Sequence, residues 1–186
     1  MSHIFQDEPR LLAVDPCPRG FGFAVLEGPK TLVDWGVKVA GGGNKNLRCL
    51  NQVASLIALY QPDVVVVEDY AGEGSRRCPR VRELIDKIGN LASGKNVMCR
   101  RYSRSDVRAS FKWFGASTKH QIATAIAEKL PDLASWLPPL RKLWMPEDYR
   151  MNIFDAVSFA FAYFHFENLR RKSAWERAAR KKSTVL

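Results

Sequence analysis

Hydrophobic side chains in the first forty residues follow patterns that are typical of short β-strands. Residues 11–15 form an apolar run that ends in an acid, and residues 20–26 form a second strand-like segment beyond a turn rich in proline and glycine. Residues 31–40 place apolar side chains at every second position, which is the period of a half-buried antiparallel strand. This part of the chain is therefore predicted to form three antiparallel strands.

A run of four valines at residues 64–67 predicts a different kind of strand, one that is central and covered on both faces. Residues 44–60 carry apolar side chains at helical spacing and predict an amphipathic helix before it. The other predicted elements are a helix at residues 81–91, a strand at residues 96–102, a helix at residues 119–130 and a final helix at residues 146–166. Strands and helices in this order predict an α/β fold.

The charge of the chain favours an anionic partner. Lysine and arginine number 29 against 19 aspartates and glutamates, which gives a formal net charge of +10. Nucleic acid would neutralise such a surface, although an incidentally basic protein explains the charge equally well. The 186 residues, 46% of them hydrophobic, suffice for one core. We predict one domain over residues 1–168 and a basic C-terminal extension over residues 169–186.

Cysteine spacing and hydropathy indicate in which cellular compartment the protein is expected. The four cysteines lie far apart, without a CxxC pair or a histidine at zinc-ligand spacing, so we expect reduced thiols. No apolar run approaches the roughly 20 residues that cross a bilayer, and the first residues lack the layout of a signal peptide. We therefore expect a cytoplasmic, nucleoid-associated protein and no membrane partner.

Three acidic residues lie beside the predicted core. Asp15 and Glu68 end buried strands, and Asp155 lies in an otherwise apolar helix. If the first and fourth strands are neighbours, Asp15 and Glu68 come together, and like charges at short range need a cation between them. Strand alternation points Asp69 to the opposite face from Glu68, so only one of the two can join Asp15. A divalent-metal site is predicted, while each acid alone could instead cap a turn or pair with arginine.

The order of these residues resembles a known family. The matching pieces are Asp15-Pro16, Gly22-Phe23, Glu68, Gly115-Ala116 with Lys119, and Asp155-Ala156. No single piece is specific, but together they resemble the RuvC family of Holliday-junction resolvases over residues 11–166. The resemblance also selects Glu68, rather than Asp69, as the partner of Asp15.

The resemblance implies an RNase H-like fold, a five-stranded mixed sheet with its first three strands antiparallel and helices on its flanks. It also implies a homodimer that cuts both sides of a four-way DNA junction. Asp15, Glu68 and Asp155 match three of the family's four catalytic carboxylates, and Lys119 matches its lysine near the scissile phosphate. Mg²⁺ is the implied cofactor, and Mn²⁺ is expected to substitute for it.

One position departs from the family within the metal site. Asn152 stands where the family has a fourth acid or a histidine, and a neutral amide oxygen binds metal more weakly. Asp148 is an alternative donor, because it would lie two turns before Asp155 on the same face if the last helix already ran at Pro146. We expect Asn152 to be the better candidate, since acids in a first helical turn usually favour the helix dipole.

Most residues that are expected to contact DNA are basic. Tyr70 is the aromatic residue nearest to Ala71, where the family carries an aromatic wedge between bases, although Tyr70 could instead pack at the sheet edge. The residues expected to bind phosphates are Arg76, Arg77, Arg80, Arg104, Arg108, Lys112 and Lys119. Each of them alone could belong to a solvated face. As a set beside a metal site they favour DNA.

The predicted function is a Mg²⁺-dependent endonuclease that resolves Holliday junctions by paired symmetric nicks. Asp15, Glu68, Asp155 and Asn152 would hold one or two ions, and Lys119 would stabilise charge on the phosphate. Two alternatives stay open. One is an RNase H-fold nuclease for flaps, single strands or RNA hybrids, because fold alone does not fix the substrate. The other is a junction-binding protein without catalytic activity.

Overall fold

Five strands form one mixed sheet in the computed structural model, which describes residues 8–73, 75–142 and 144–183. The strands are β1 (Arg10–Cys17), β2 (Gly20–Glu27), β3 (Thr31–Val39), β4 (Val64–Glu68) and β5 (Met98–Tyr102). They lie in the order β3-β2-β1-β4-β5. The first three strands pair antiparallel, and β1, β4 and β5 pair parallel. The predicted five-stranded mixed sheet is confirmed.

Helices cover both faces of this sheet. They are α1 (Lys45–Tyr60), α2 (Pro79–Gly94), α3 (Arg104–Phe111), α4 (Lys119–Lys129) and α5 (Met151–Ser183). Helices α1 and α2 pack on one face, and α3, α4 and α5 pack on the other. Because successive strand residues point to opposite faces, Leu11 and Ala13 of β1 join the core of α3, α4 and α5, whereas Leu12 and Val14 join the other core.

Helix α3 is an element that the sequence analysis did not predict. It begins with a capping box, in which the Ser103 hydroxyl accepts from the backbone N–H of Asp106 and the Asp106 carboxylate accepts from that of Ser103. Val107 and Phe111 bury its inner face against α5. The many charges of this short segment obscure its apolar period, so it was interpreted only as a basic stretch.

The last helix begins at Met151 rather than at Pro146, so the predicted start is wrong. Asp148 lies in the preceding turn, where its carboxylate accepts from Arg150 with an Nη2–Oδ2 distance of 2.7 Å. The condition for Asp148 to share a helical face with Asp155 is therefore not met. Helix α5 runs on to Ser183 through the predicted basic extension. None of the described helices is long and apolar enough to cross a membrane.

Candidate metal and nucleic-acid site

Asp15 and Glu68 lie at the carboxyl ends of two neighbouring parallel strands. Strands β1 and β4 pair with Ala13 opposite Val66, and the same register carried two residues further sets Asp15 beside Glu68. Both residues follow the alternation that faces α3, α4 and α5, and both are fully buried, with 0% of their surface exposed. The predicted neighbourhood of the first and fourth strands is confirmed. Ligands of open α/β sheets bind at this end of the strands.

Asp155 reaches the same place from helix α5, where it is 4% exposed. The backbone of α5 lies directly against β2, because Gly22 has no side chain. A Cβ atom on Gly22 would lie 2.1 Å from the carbonyl oxygen of Asn152. Gly22 is also the pairing partner of Asp15 in β2. The close approach of α5 at Gly22 therefore brings Asp155 towards the end of β1.

Arg77 joins the two strand-end acids. It lies between β4 and α2, and its side chain is 16% exposed. Its Nε and Nη2 lie 2.6 Å and 2.5 Å from Glu68 Oε2, and its Nη2 also bonds to Asp15 Oδ1. An arginine that is shared by two buried carboxylates offsets their mutual repulsion.

Arg104 contacts all three acids. As the first residue of α3, it places Nη2 3.3 Å from both Asp15 Oδ1 and Glu68 Oε2. Its Nη1 lies 3.0 Å from Asp155 Oδ1. The guanidinium carbon also lies 4.9 Å from the centre of the Phe159 ring, a cation–π contact. Arg104 therefore ties α3 to β1, β4 and α5 at one point.

Lys119 completes this set of ion pairs. It is the first residue of α4, after the Thr118 cap. Its Nζ lies 2.7 Å from Asp155 Oδ2 and 2.6 Å from Glu147 Oε1. Sequence reasoning missed Glu147, which lies in an irregular loop without a motif. It also missed that Arg77 and Arg104 contact the acids, because residues so far apart in the chain carry no local signal of their contact.

Burial and neighbouring charges shift the pKa values of the site in opposite directions. Burial raises the pKa of Asp15 to about 6, although Arg77 opposes this shift. Burial also acts to raise the pKa of Asp155, but the positive charges of Arg104 and Lys119 outweigh it and the pKa is lowered. For Lys119, burial acts to lower the pKa, yet Asp155 raises it above its ordinary value. Asp155 and Lys119 thus form a charged pair at neutral pH.

The donor chemistry fits a hard divalent cation. Asp15 Oδ2 and Glu68 Oε1 are buried and have no hydrogen-bond partner in the described part of the chain. Carboxylate oxygens are the ligands that Mg²⁺ prefers. Cations of the chain itself lie between the acids, and no three His, Cys, Asp or Glu side chains among the described residues are grouped closely enough to ligate a metal in this conformation. Binding of an ion between the acids therefore requires at least one of these cationic side chains to rearrange.

A cleft of about 310 Å³ opens over the acids. The basic residues that line it are Arg76, Arg77, Arg104, Arg108 and Lys119. Its acidic lining consists of Glu68 and Asp155, so the walls carry an excess of positive charge. Such a cleft attracts an anionic ligand such as a phosphodiester.

Three of the predicted site residues lie elsewhere. Asn152 is half-buried one turn before Asp155 and is not among the described residues that line the cleft. Arg80 donates to the carbonyl oxygens of Cys17 and Pro18, each at 2.9 Å, so it braces the turn after β1. Lys112 lies exposed at the start of the 3₁₀ turn after α3.

Tyr70 is held within the protein. Its hydroxyl donates to Asp86 Oδ2 at 2.7 Å, and the guanidinium carbon of Arg82 lies 5.8 Å from its ring centre. Both contacts are with helix α2, so Tyr70 packs at the carboxyl end of the internal strand β4 and not along an edge strand of the sheet. Its predicted contact with DNA stays a prediction.

Comparison with known proteins adds to this picture. No family model matches the chain. It is 25% identical over 130 residues to the crossover junction endodeoxyribonuclease RuvC of Caldicellulosiruptor saccharolyticus, which covers 65% of this chain and 78% of that protein. The structure of T. thermophilus RuvC in complex with a Holliday junction substrate matches with a TM-score of 0.63 at 15% identity, covering 87% of this chain and 96% of that one. The yeast mitochondrial Holliday junction resolvase Ydc2 matches with a TM-score of 0.57 at 11% identity, covering 87% of this chain and 82% of that one.

The five-stranded mixed sheet with helices on both faces is an RNase H-like fold. The chain is similar to RuvC in sequence as well as in structure. The resemblance that the sequence motifs indicated is confirmed.

Proposed function

We propose that this protein is a divalent-metal-dependent endonuclease that resolves four-way DNA junctions. The observation that carries the proposal is the meeting of Asp15, Glu68 and Asp155 below a cleft with basic walls. The basic walls suit a DNA backbone, and the acids suit a hard divalent cation. The similarity to RuvC, one structure of which holds a Holliday junction substrate, supports a junction as the substrate.

Asp15, Glu68 and Asp155 would hold the divalent ion. Asn152, which is not among the described residues that line the cleft, stays a predicted weaker neutral donor from α5. When bound, Mg²⁺ or Mn²⁺ supplies Lewis-acid chemistry that stabilises negative charge on the phosphate. Both ions prefer oxygen ligands, so either is expected to support the reaction.

The cations of the chain would bind and orient the substrate. Hydrolysis forms a bond from a water oxygen to phosphorus and breaks the bond to the 3′ oxygen, which leaves with a proton. Lys119 is held beside Asp155 and would offset charge that builds on the phosphate. Arg76 and Arg108 line the cleft and would hold the flanking backbone through charge-assisted hydrogen bonds.

A junction must be cut at two opposed strands, and the cleft over the three acids would supply one active site per chain. We therefore expect the active form to be a homodimer in which each protomer makes one nick. Light scattering after size exclusion checks this expectation directly. A mass of about twice the 21.1 kDa of one chain is expected.

A second candidate is a protein that binds junctions without cutting them. It is favoured by one observation, the pairing of all three acids with Arg77, Arg104 and Lys119. In that case the acids and bases form a structural network, and metal would have no effect.

Cleavage of a labelled four-way junction tests the proposal. The substrates are the junction, a flap, a single strand, an RNA–DNA hybrid and a linear duplex of matched sequence, each with Mg²⁺, Mn²⁺ or EDTA. We expect paired symmetric nicks in the junction only with metal, and none with Asp15→Asn, which should still bind. Asp132→Asn, at an exposed acid, serves as the matched control and should cut normally. Tight binding without nicks would establish the second candidate, and preferred cutting of another substrate would overturn the junction assignment.

A further inference from the structure

The three acids offer few free oxygens. Asp15 Oδ1 and Glu68 Oε2 bond to both Arg77 and Arg104, and both oxygens of Asp155 lie in ion pairs. Only Asp15 Oδ2 and Glu68 Oε1 are buried without a partner in the described part of the chain. Because Mg²⁺ is usually bound in proteins through one or two carboxylates, Asp15 and Glu68 together suffice to anchor one cation.

The charges of the site are already balanced. Three buried carboxylates face three cationic side chains, namely those of Arg77, Arg104 and Lys119. A fourth acid, Glu147, also pairs with Lys119, but its side chain is 42% exposed and solvent screens its charge. Exchange of one arginine for one divalent ion leaves a single positive charge, which matches the single negative charge of a phosphodiester. A second divalent ion beside the remaining arginine would leave an excess of three positive charges, which the buried site would not compensate.

The two arginines differ in how firmly they are held. Arg104 begins a capped helix, contacts all three acids and lies against the Phe159 ring. Arg77 makes the shorter ion pair with Glu68, 2.5 Å against 3.3 Å for Arg104, but of the three acids it contacts only Asp15 and Glu68. It lies between β4 and α2, outside any helix or strand, so its backbone can move more readily than that of Arg104. Arg77 is therefore the arginine that an incoming ion can displace, and Arg104 is the one that stays.

We propose that Arg104 is a fixed internal cation which takes the place of a second metal ion, so that this site holds one divalent ion per chain, bound where Arg77 now lies. The inference rests on the proposed metal-dependent function and deepens it. The proposal also explains why the neutral Asn152 can stand where the family has a fourth acid. An arginine carries one positive charge fewer than a divalent ion, so the site needs one carboxylate fewer to balance its cations.

Counting bound Mn²⁺ by electron paramagnetic resonance, in the absence of DNA, tests this proposal. Wild-type protein should bind one Mn²⁺ per chain, and two ions per chain would overturn the proposal. Arg77→Met should also bind one ion, but about tenfold more tightly, because Arg77 no longer competes for Asp15 and Glu68 while Arg104 still contacts both. Unchanged or weaker binding by Arg77→Met would contradict displacement of Arg77.

Two variants test the part played by Arg104. Arg104→Met should admit a second Mn²⁺, whereas Arg104→Lys keeps the charge and should stay at one. A stoichiometry of one in folded Arg104→Met would show that Arg104 is not what excludes the second ion. Circular dichroism checks folding. If Arg104→Met does not fold, the number of Mn²⁺ ions bound by wild type, Arg77→Met and Arg104→Lys decides whether the proposal stands.

The count is independent of DNA cleavage. A protein that binds one Mn²⁺ but cuts no junction would uphold this inference and defeat the proposed function. A protein that cuts junctions but binds two ions per chain would uphold the proposed function and defeat this inference. A chain that binds no Mn²⁺ would overturn both.

Discussion

The guanidinium of Arg77 bonds to the carboxylate of Asp15, although 62 positions separate the two residues in the chain. The contact closes the acidic end of β1 and β4 with a cation from the loop before α2. Because the side chains of Asp15 and Glu68 are almost entirely buried, they depend on Arg77 and Arg104 for compensation when metal is absent. The stability of the protein should therefore respond to changes in this set of charges.

Arg77→Met should destabilise the metal-free protein. Loss of one partner leaves two buried carboxylates undercompensated, at a cost of about 3 kcal/mol in the free energy of unfolding. Thermal denaturation in EDTA should show a Tm lower by about 6–12 °C. Addition of Mg²⁺ should restore most of the difference, because the ion compensates the same oxygens. Arg76→Met is the matched control, since Arg76 is exposed, and its Tm should stay close to that of wild type. Equal melting of both variants would show that Arg77 does not compensate the acids.

Gly22→Ala should disturb the site from strand β2, on the same face of the sheet as Asp15. A methyl group would lie 2.1 Å from the Asn152 carbonyl oxygen, so α5 must move away from β2 and carry Asp155 with it. We expect a loss of about 2 kcal/mol or more in unfolding free energy, together with reduced junction cleavage.

Gly94→Ala is the control for Gly22→Ala, because a Cβ there meets no atom within 4 Å and the residue ends helix α2. Alanine favours a helix, so this variant should be as stable as wild type or slightly more stable. Urea denaturation measures both variants. A Gly22→Ala protein with wild-type stability would show that α5 does not depend on this contact.

The sequence predicts much of this architecture, because period-2 and helical patterns report which side of an element is buried. Strands β1 to β5 follow from such local patterns, whereas the choice of Glu68 as the partner of Asp15 came from the family resemblance. Helix α3 was not predicted because it is short and rich in charge. Arg104 and Arg108 within it, and Lys112 just after it, obscure the helical period of its few apolar residues. The start of α5 was misplaced because Pro146 is a good first helical residue, whereas Asp148 and Arg150 stabilise a turn instead.

Ion pairs within the site could not be predicted in the same way. Arg77, Arg104 and Lys119 were each selected as DNA-binding residues from their charge and surroundings. Their contacts with the acids depend on where the loop before α2, helices α3 to α5 and strands β1 and β4 meet in space. A local sequence pattern cannot predict such a meeting. The sequence likewise does not predict the lowered pKa of Asp155. Arg104 and Lys119 lower this pKa against the effect of burial.

The raised pKa of Asp15 gives the protein a specific dependence on pH. Its folded-state pKa of about 6 exceeds its ordinary value of 3.8, so the folded state holds this proton more tightly than the unfolded state. Stability should therefore fall as pH rises from 4 to 6, and the full penalty, about 3 kcal/mol, is present above pH 6. Asp15→Asn removes this penalty.

Urea denaturation in EDTA across this range compares Asp15→Asn with wild type. The unfolding free energy of Asp15→Asn should equal that of wild type below pH 4, exceed it increasingly between pH 4 and pH 6, and keep a constant excess above pH 6. The exposed Asp132→Asn should show no such growth. An Asp15→Asn protein that is less stable than wild type at pH 7 would show that the attraction of Arg77 and Arg104 exceeds the cost of burying Asp15.

Arg108 should bind DNA through a phosphate and not through a base. It lines the cleft on α3, it is exposed, and a guanidinium at this place can pair with the backbone of a bound strand. Each phosphate contact releases counterions, so Arg108→Gln should lower the slope of log K against log salt concentration by about one. Fluorescence anisotropy with a labelled junction, in Ca²⁺ to prevent cutting, measures that slope. Arg48→Gln removes an equally exposed arginine from α1, on the opposite face of the sheet, and should leave the slope unchanged. Equal slopes for wild type and Arg108→Gln would place the bound strand away from α3, because a cation that contacts no phosphate releases no counterion.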